Sequence, residues 1–201
     1  MKVLGIDIGT TTISAAVLEN NKNIAHKTYK NDSFIHSANS WERIQSVEHI
    51  RKTALNVASE LMVEFPDIER IGVTGQMHGI VYLDDEGNAQ SPLYTWQDER
   101  GNQLYKDSET YAEYLSRISG YKLSAGYGLV THFYNMVNGL VPKKATKLCG
   151  FFRNKTVYHI VEVSYKSITC RKLISAYPRK VFCVCFAILI ELIPPLVLPC
   201  I

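Results

Sequence analysis

The stretch Met1-Lys-Val-Leu-Gly-Ile-Asp-Ile-Gly-Thr-Thr-Thr-Ile-Ser-Ala-Ala-Val-Leu18 decides how this chain folds. An apolar run at residues 3–8 carries one acid, Asp7, up to a Gly9-Thr10-Thr11-Thr12 turn, and a second apolar run follows. Two short apolar runs joined by a polar turn predict a strand hairpin, with residues 13–18 as the returning strand. Such a turn offers backbone N–H groups and hydroxyls to an anion, beside a carboxylate able to hold a metal. Free N–H groups favour phosphate oxygens and Mg²⁺ favours hard oxygen ligands, so polyphosphate with magnesium is the natural ligand. The alternative is an ordinary hairpin in which Asp7 is a solvated strand-end residue.

Working outward, Asn20-Asn21-Lys22-Asn23 is a turn cluster and residues 24–29 read as a third strand. Ser40 is placed to cap a long helix over residues 41–64, whose Ile44, Val47, Ile50, Ala54, Val57, Ala58 and Leu61 form one apolar stripe. Pro66 ends it, and residues 68–74 resume as a short buried strand. Another strand is expected at 80–83, a turn at 84–88, a helix at 109–118 and the start of a further helix at 133–137. Three strands, a helix and then a strand predict an α/β domain with a mixed sheet and flanking helices.

Composition bounds the reading. A net charge of +3 over 201 residues gives no global argument for nucleic acid. The balance is uneven, however: residues 1–149 carry 15 Lys+Arg against 17 Asp+Glu, while residues 150–201 carry 7 Lys+Arg against 2 Glu. All five cysteines lie from Cys149 onward, with no paired spacing that would make a disulfide framework or a metal clip. Lys2 is followed by a strand pattern and not by a long apolar leader, so the expected compartment is the reducing cytoplasm.

Two further motifs carry chemistry. In Gly75-Gln76-Met77-His78-Gly79, flanking glycines allow a sharp turn after a strand. Gln76 and His78 can hydrogen-bond hydroxyls, and Met77 supplies an adaptable apolar wall. The plain alternative is a tight strand–loop–strand turn. In Trp96-Gln97-Asp98-Glu99-Arg100, an aromatic face suits the apolar face of a sugar ring. The nearby carboxylate and guanidinium suit vicinal hydroxyls. Here the alternative is a half-buried tryptophan beside a surface pair of Asp98 and Arg100. The loop Ser124-Ala125-Gly126-Tyr127-Gly128 is either a connector or a place where Tyr127 lines a pocket.

The Gly-Ile-Asp-Ile-Gly-Thr-Thr wording resembles the first phosphate-binding hairpin of the actin-like ATPase superfamily, and no Walker A lysine follows it. With the motifs at 76–79 and 96–100 in the same order, residues 1–149 resemble the N-terminal domain of the FGGY family of carbohydrate kinases. Thr95-Trp96-Gln97-Asp98 and Gly126-Tyr127-Gly128-Leu129 look most like the sedoheptulokinase branch, then xylulokinases, with Glu99 standing where glycine is more usual. The resemblance implies a ribonuclease-H-like domain and ATP-dependent phosphorylation of a ketose such as sedoheptulose or xylulose, while the small net charge and the short apolar run near the end argue against nucleic acid and membrane as partners. It implies Asp7 as the Mg²⁺ residue, Gly9, Thr10, Thr11 and Thr12 at the ATP phosphates, and Gln76, Met77, His78, Trp96, Asp98 and Arg100 around the sugar.

The same resemblance implies an incomplete domain. The family's general-base aspartate lies in a later motif and its second phosphate loop in a C-terminal domain, whereas the last aspartate here is Asp107. No catalytic residue is therefore assigned, and the chain is expected to be an inactive fragment. From Gly150 the family wording stops, and residues 150–201 are expected to be a poorly folded tail of frameshift or splicing origin. The apolar run at 181–193 is shorter than the roughly 20 residues a membrane helix needs, and extension to Ile201 takes in Glu191 and three prolines. The competing readings are a non-catalytic sugar-binding module and an interaction protein tethered to a membrane by that tail.

Overall fold

A computed structural model describes residues 1–154 and 157–164, with side chains through residue 150. Its elements in chain order are β1 (Lys2–Ile8), β2 (Thr12–Glu19), β3 (Lys22–Lys30), β4 (Phe34–Ile35), β5 (Ile44–Gln45) and α1 (Val47–Glu64). They continue with β6 (Ile68–Gly75), β7 (Ile80–Leu83), β8 (Leu93–Tyr94), β9 (Leu104–Lys106), β10 (Glu109–Thr110) and α2 (Tyr111–Ser119). The last are α3 (Gly128–Val137), β11 (Lys147–Asn154) and β12 (Val157–Ser164).

The first sheet has the order β3-β2-β1-β6, with β1 antiparallel to β2 and parallel to β6. Alternation along β1 and β2 turns Leu4, Ile6, Ile8, Ile13, Ala15 and Val17 to one face. The stripe Ile50, Ala54, Val57, Ala58 and Leu61 of α1 closes over that face, and the eleven residues form one buried cluster. Asp7 belongs to the opposite, uncovered face, between its strand partners Ser14 and Thr74. The expected mixed sheet is thus present.

Two boundaries and the burial of one strand differ from the sequence reading, each for a physical reason. The helix starts at Val47 and is capped by Ser46, whose Oγ accepts from His49 N at 3.2 Å. Residues 41–46 do not extend it, because Ile44 and Gln45 pair with Tyr94 and Leu93 of β8. The strand β6 is half-buried and not buried, since it lies at the edge of the described sheet and packs inward only through alternate residues. The last helix begins at Gly128, five residues before Phe133, because residues 128–132 pack against α2.

A second sheet, β12-β11-β7-β8-β5-β4, holds the site loops. Its strand β7 is buried at all four positions. Packed against α3, α2 opens with a capping box between Thr110 and Glu113 and closes on left-handed Gly120, φ 74°. The strand β11 crosses the expected boundary at Gly150, pairing Cys149 with Val81 and Gly150 with Ile80. Residues 165–201, with the apolar run at 181–193, lie outside the described residues. Among those described, no helix is long and apolar enough to cross a membrane.

Candidate active site

The hairpin turn between β1 and β2 is closed by Gly9 N–H donating to Thr12 O at 2.9 Å. A Cβ on residue 9 would lie 2.8 Å from that same oxygen, so only glycine makes the turn this tight. The three carbonyls at its crest are each drawn back into the protein. Gly9 O accepts from Asn31 Nδ2 at 2.8 Å, Thr10 O from Gln45 Nε2 at 2.8 Å, and Thr11 O from Asn31 N at 2.8 Å. The backbone N–H groups of Thr10 and Thr11 meet no acceptor among the described residues. Carbonyls engaged by the protein and N–H groups left without an acceptor among the described residues are the arrangement that an anion requires.

The exposed Asp7 carboxylate stands on the strand leading into this turn. No group of three or more His, Cys, Asp or Glu side chains converges as a metal site among the described residues. The donor set fits Mg²⁺ held by one carboxylate together with phosphate oxygens and water, which is how that ion is commonly bound.

The loop after β6 reaches the same turn. Gln76 Oε1 accepts from Thr10 Oγ1 at 3.0 Å, and Gln76 Nε2 donates to Gln45 Oε1 at 2.8 Å. Trp96 Nε1 also donates to Thr10 Oγ1, at 3.0 Å. Trp96 itself is 50% exposed, half-buried as the alternative reading supposed. His78 takes a left-handed φ of 63° and stacks on Tyr127 with ring centroids 4.3 Å apart and planes within 10°. Burial holds the imidazole below its usual pKa, and it is neutral at pH 7.

Trp96, His78 and Tyr127 share an open groove of about 1320 Å³ with Arg43, Glu99 and Lys122. Gly126 seals one wall: a Cβ there would sit 1.7 Å from Trp96 O, so the two backbones touch.

Asp98 and Arg100 are not the surface pair of the alternative reading, for both are buried to within 1%. Arg100 Nε donates to Asp98 Oδ1 at 2.6 Å and Nη2 donates to Oδ2 at 3.1 Å. The same guanidinium reaches Asn135 Oδ1 at 2.6 Å and Glu42 Oε1 at 3.0 Å, and lies 4.2 Å from the centre of the Tyr94 ring. Asp98 Oδ2 also accepts from Arg43 N at 3.0 Å. Asp98 borders the groove while Arg100 stands behind it, fixing the loop that presents Trp96.

The structure therefore unites Thr10, Gln76 and Trp96 in one network, sets His78 in the adjoining groove, and places Arg100 in the supporting interior. Sequence reasoning missed Gln45, Asn31, Glu42 and Asn135. The first was masked by its place in an apparently helical stretch, and the others are polar residues without a motif around them.

An α/β domain with this mixed sheet, whose strand hairpin carries an acid beside an open groove, is of the ribonuclease-H-like, actin-like ATPase fold class. A model of the FGGY family of carbohydrate kinases, N-terminal domain, matches residues 2–135, and the chain belongs to that family. Over 132 residues it is 26% identical to the xylulose kinase of Bacillus subtilis (strain 168), an alignment covering 63% of this chain and 26% of that protein. It is 28% identical over 136 residues to the gluconokinase of the same organism, covering 58% and 26%. The chain thus spans about a quarter of the length of these relatives. In fold it is similar to the gluconate kinase of Lactobacillus acidophilus, with TM-score 0.63 at 18% identity over 74% of this chain and 31% of that one. The xylulose kinase of Rhodospirillum rubrum gives TM-score 0.60 at 21% identity, covering 75% and 32%.

Proposed function

We propose that this chain supplies the sugar groove and one wall of the ATP site of a ketose kinase. The observation that carries the reading is the 3.0 Å bond from Trp96 Nε1 to Thr10 Oγ1. It sets the ring suited to stack on a sugar one hydrogen bond away from the turn suited to hold phosphate, where an acceptor hydroxyl and a γ-phosphoryl group have to meet. Asp7 would hold Mg²⁺, and residues 9–12 would face the ATP phosphates. Trp96 would stack on the sugar, and His78, kept neutral by burial, would exchange hydrogen bonds with its hydroxyls. In the reaction, a terminal sugar oxygen bonds to the γ-phosphorus, the bond to ADP breaks, and the hydroxyl proton passes to a base.

The family's base motif falls after Asp107, where these 201 residues contain no aspartate. We therefore propose that this polypeptide by itself binds sugar without efficient turnover, a missing general base commonly amounting to about 10²–10⁴-fold. The motifs at 95–98 and 126–129 favour sedoheptulose over xylulose as the ketose. The proposed compartment is the cytoplasm, which supplies ATP.

Calorimetric titration with sedoheptulose, xylulose and gluconate tests the reading. The expected result is saturable binding of a ketose that Trp96→Ala abolishes. The reading fails if none of the three binds at about 10 mM, an order above the common KM range.

A further inference from the structure

Gln45 is wholly buried, at 0% exposure, yet both ends of its amide are engaged by the site. Its Nε2 donates to the Thr10 carbonyl at 2.8 Å, and its Oε1 accepts from Gln76 Nε2 at 2.8 Å. Gln76 in turn accepts from Thr10 Oγ1, which also accepts from Trp96 Nε1. Gln45, Gln76 and Thr10 thus close a ring of hydrogen bonds: backbone carbonyl to Gln45, Gln45 to Gln76, and Gln76 to the hydroxyl of the same threonine. The ring fixes both the main chain and the side chain of Thr10.

This arrangement has a directional consequence. A ligand that draws on Trp96 from the groove alters the donors left for Thr10 Oγ1 and, through Gln76, those left for Gln45. Gln45 has no exposed atom through which to relax, so the change reaches the Thr10 carbonyl and the peptide plane whose N–H belongs to Thr11. We propose that Gln45 is a positioning residue that couples occupation of the sugar groove to the geometry of the anion-facing turn, so that the turn is set for phosphate when sugar is bound. The inference rests on the ketose-kinase reading above. It adds a route by which one substrate prepares the site of the other, carried by a residue that touches neither.

The test is a ¹H–¹⁵N correlation spectrum of the full chain titrated with D-xylulose. The Trp96 indole reports the groove and the amides of residues 9–12 report the turn. Trp96→Phe identifies the indole signal. In the wild-type chain, the turn amides are expected to move along the same saturation curve as the indole. In Gln45→Met, which keeps the length and shape of the side chain, the indole should still saturate with Kd within about threefold, as for a supporting residue outside the contact. The displacements at residues 9–12 should fall by about half or more, with the direct Trp96–Thr10 bond carrying the remainder.

Gln45→Leu serves as the second variant, because a buried carboxyl at this position would protonate and donate to the Thr10 carbonyl again. It takes both bonds out of the ring, so the same attenuation is expected whether or not Gln45→Met folds. Full turn displacements in a sugar-bound Gln45 variant, or a wild-type turn that ignores bound sugar, overturn the coupling alone. A wild-type spectrum indifferent to xylulose, sedoheptulose and gluconate overturns the ketose-kinase reading and the coupling with it.

Discussion

The two halves of this domain are held by different physics. The hairpin half, β1, β2, β3, α1 and β6, is a sheet and a helix sharing one apolar cluster of eleven residues. The groove half has smaller apolar clusters and adds to them a buried cation. Arg100 binds Asp98, Glu42 and Asn135 and lies against Tyr94, while Asn135 and Tyr82 extend the network to His132. An apolar face tolerates a change of shape by repacking. A buried ion does not tolerate the loss of its partner, because the remaining charge has no water to turn to. Directional bonds thus set the loops of the groove, and buried apolar area sets the platform beneath the hairpin.

The largest effect that would sharpen this contrast is expected from Arg100→Met. Leaving the Asp98 carboxylate buried and unpaired is expected to destabilise the fold by about 3–5 kcal/mol, read by urea denaturation. Asp98→Asn combined with Arg100→Met should recover part of that loss. If the single variant is as stable as wild type, the groove half does not depend on its ion pair and the comparison breaks.

In the other half, Leu61→Ala empties a fully buried position of the α1 stripe. The expected loss is about 3 kcal/mol, the middle of the range for a buried leucine, with the chemical shifts of residues 96–100 unchanged. Movement of those shifts would show that the halves share one cooperative core.

The third expectation concerns pH. Burial pushes His132 down to about 4, against about 6.5 in an unfolded chain. Between those values the unfolded chain binds a proton that the folded one excludes, so stability falls as pH falls through this window and is level above it. From pH 7 to pH 5 the loss is about 2 kcal/mol from this group, and lowered His78 adds in the same direction. Denaturation at the two pH values, compared with His132→Phe, checks the share. A variant with the same pH slope as wild type would remove His132 from the explanation.

Smallest is Ser46→Ala, which removes the observed cap of α1 and should destabilise by about 1 kcal/mol. The same change at Ser40 should do nothing measurable to the helix. An equal effect at both positions would restore the longer helix of the sequence reading.

What was readable in advance follows the same division. Alternation in β1 and β2 and the stripe of α1 are local periodic patterns, and the hairpin, the helix and the mixed sheet were legible from them. The cap at Ser46 was not, because Gln45 leaves the helical pattern to pair with Leu93, forty-eight residues away in sequence. Trp96 and His78 were legible as groove residues from their motifs. The role of Arg100 was not, because a guanidinium beside a carboxylate reads alike on a surface and in an interior, and only burial distinguishes them.

The amino-acid sequence by itself determined the platform and the family of this chain, since short-range apolar spacing and three ordered motifs suffice for both. Tertiary structure alone decided that the turn draws its carbonyls into the protein, that Asp98 and Arg100 are buried, and that Gln45 bonds both Thr10 and Gln76. Each of these depends on hydrogen bonds between residues distant in the chain, whose partners are chosen by packing and leave no periodic trace in the order of residues.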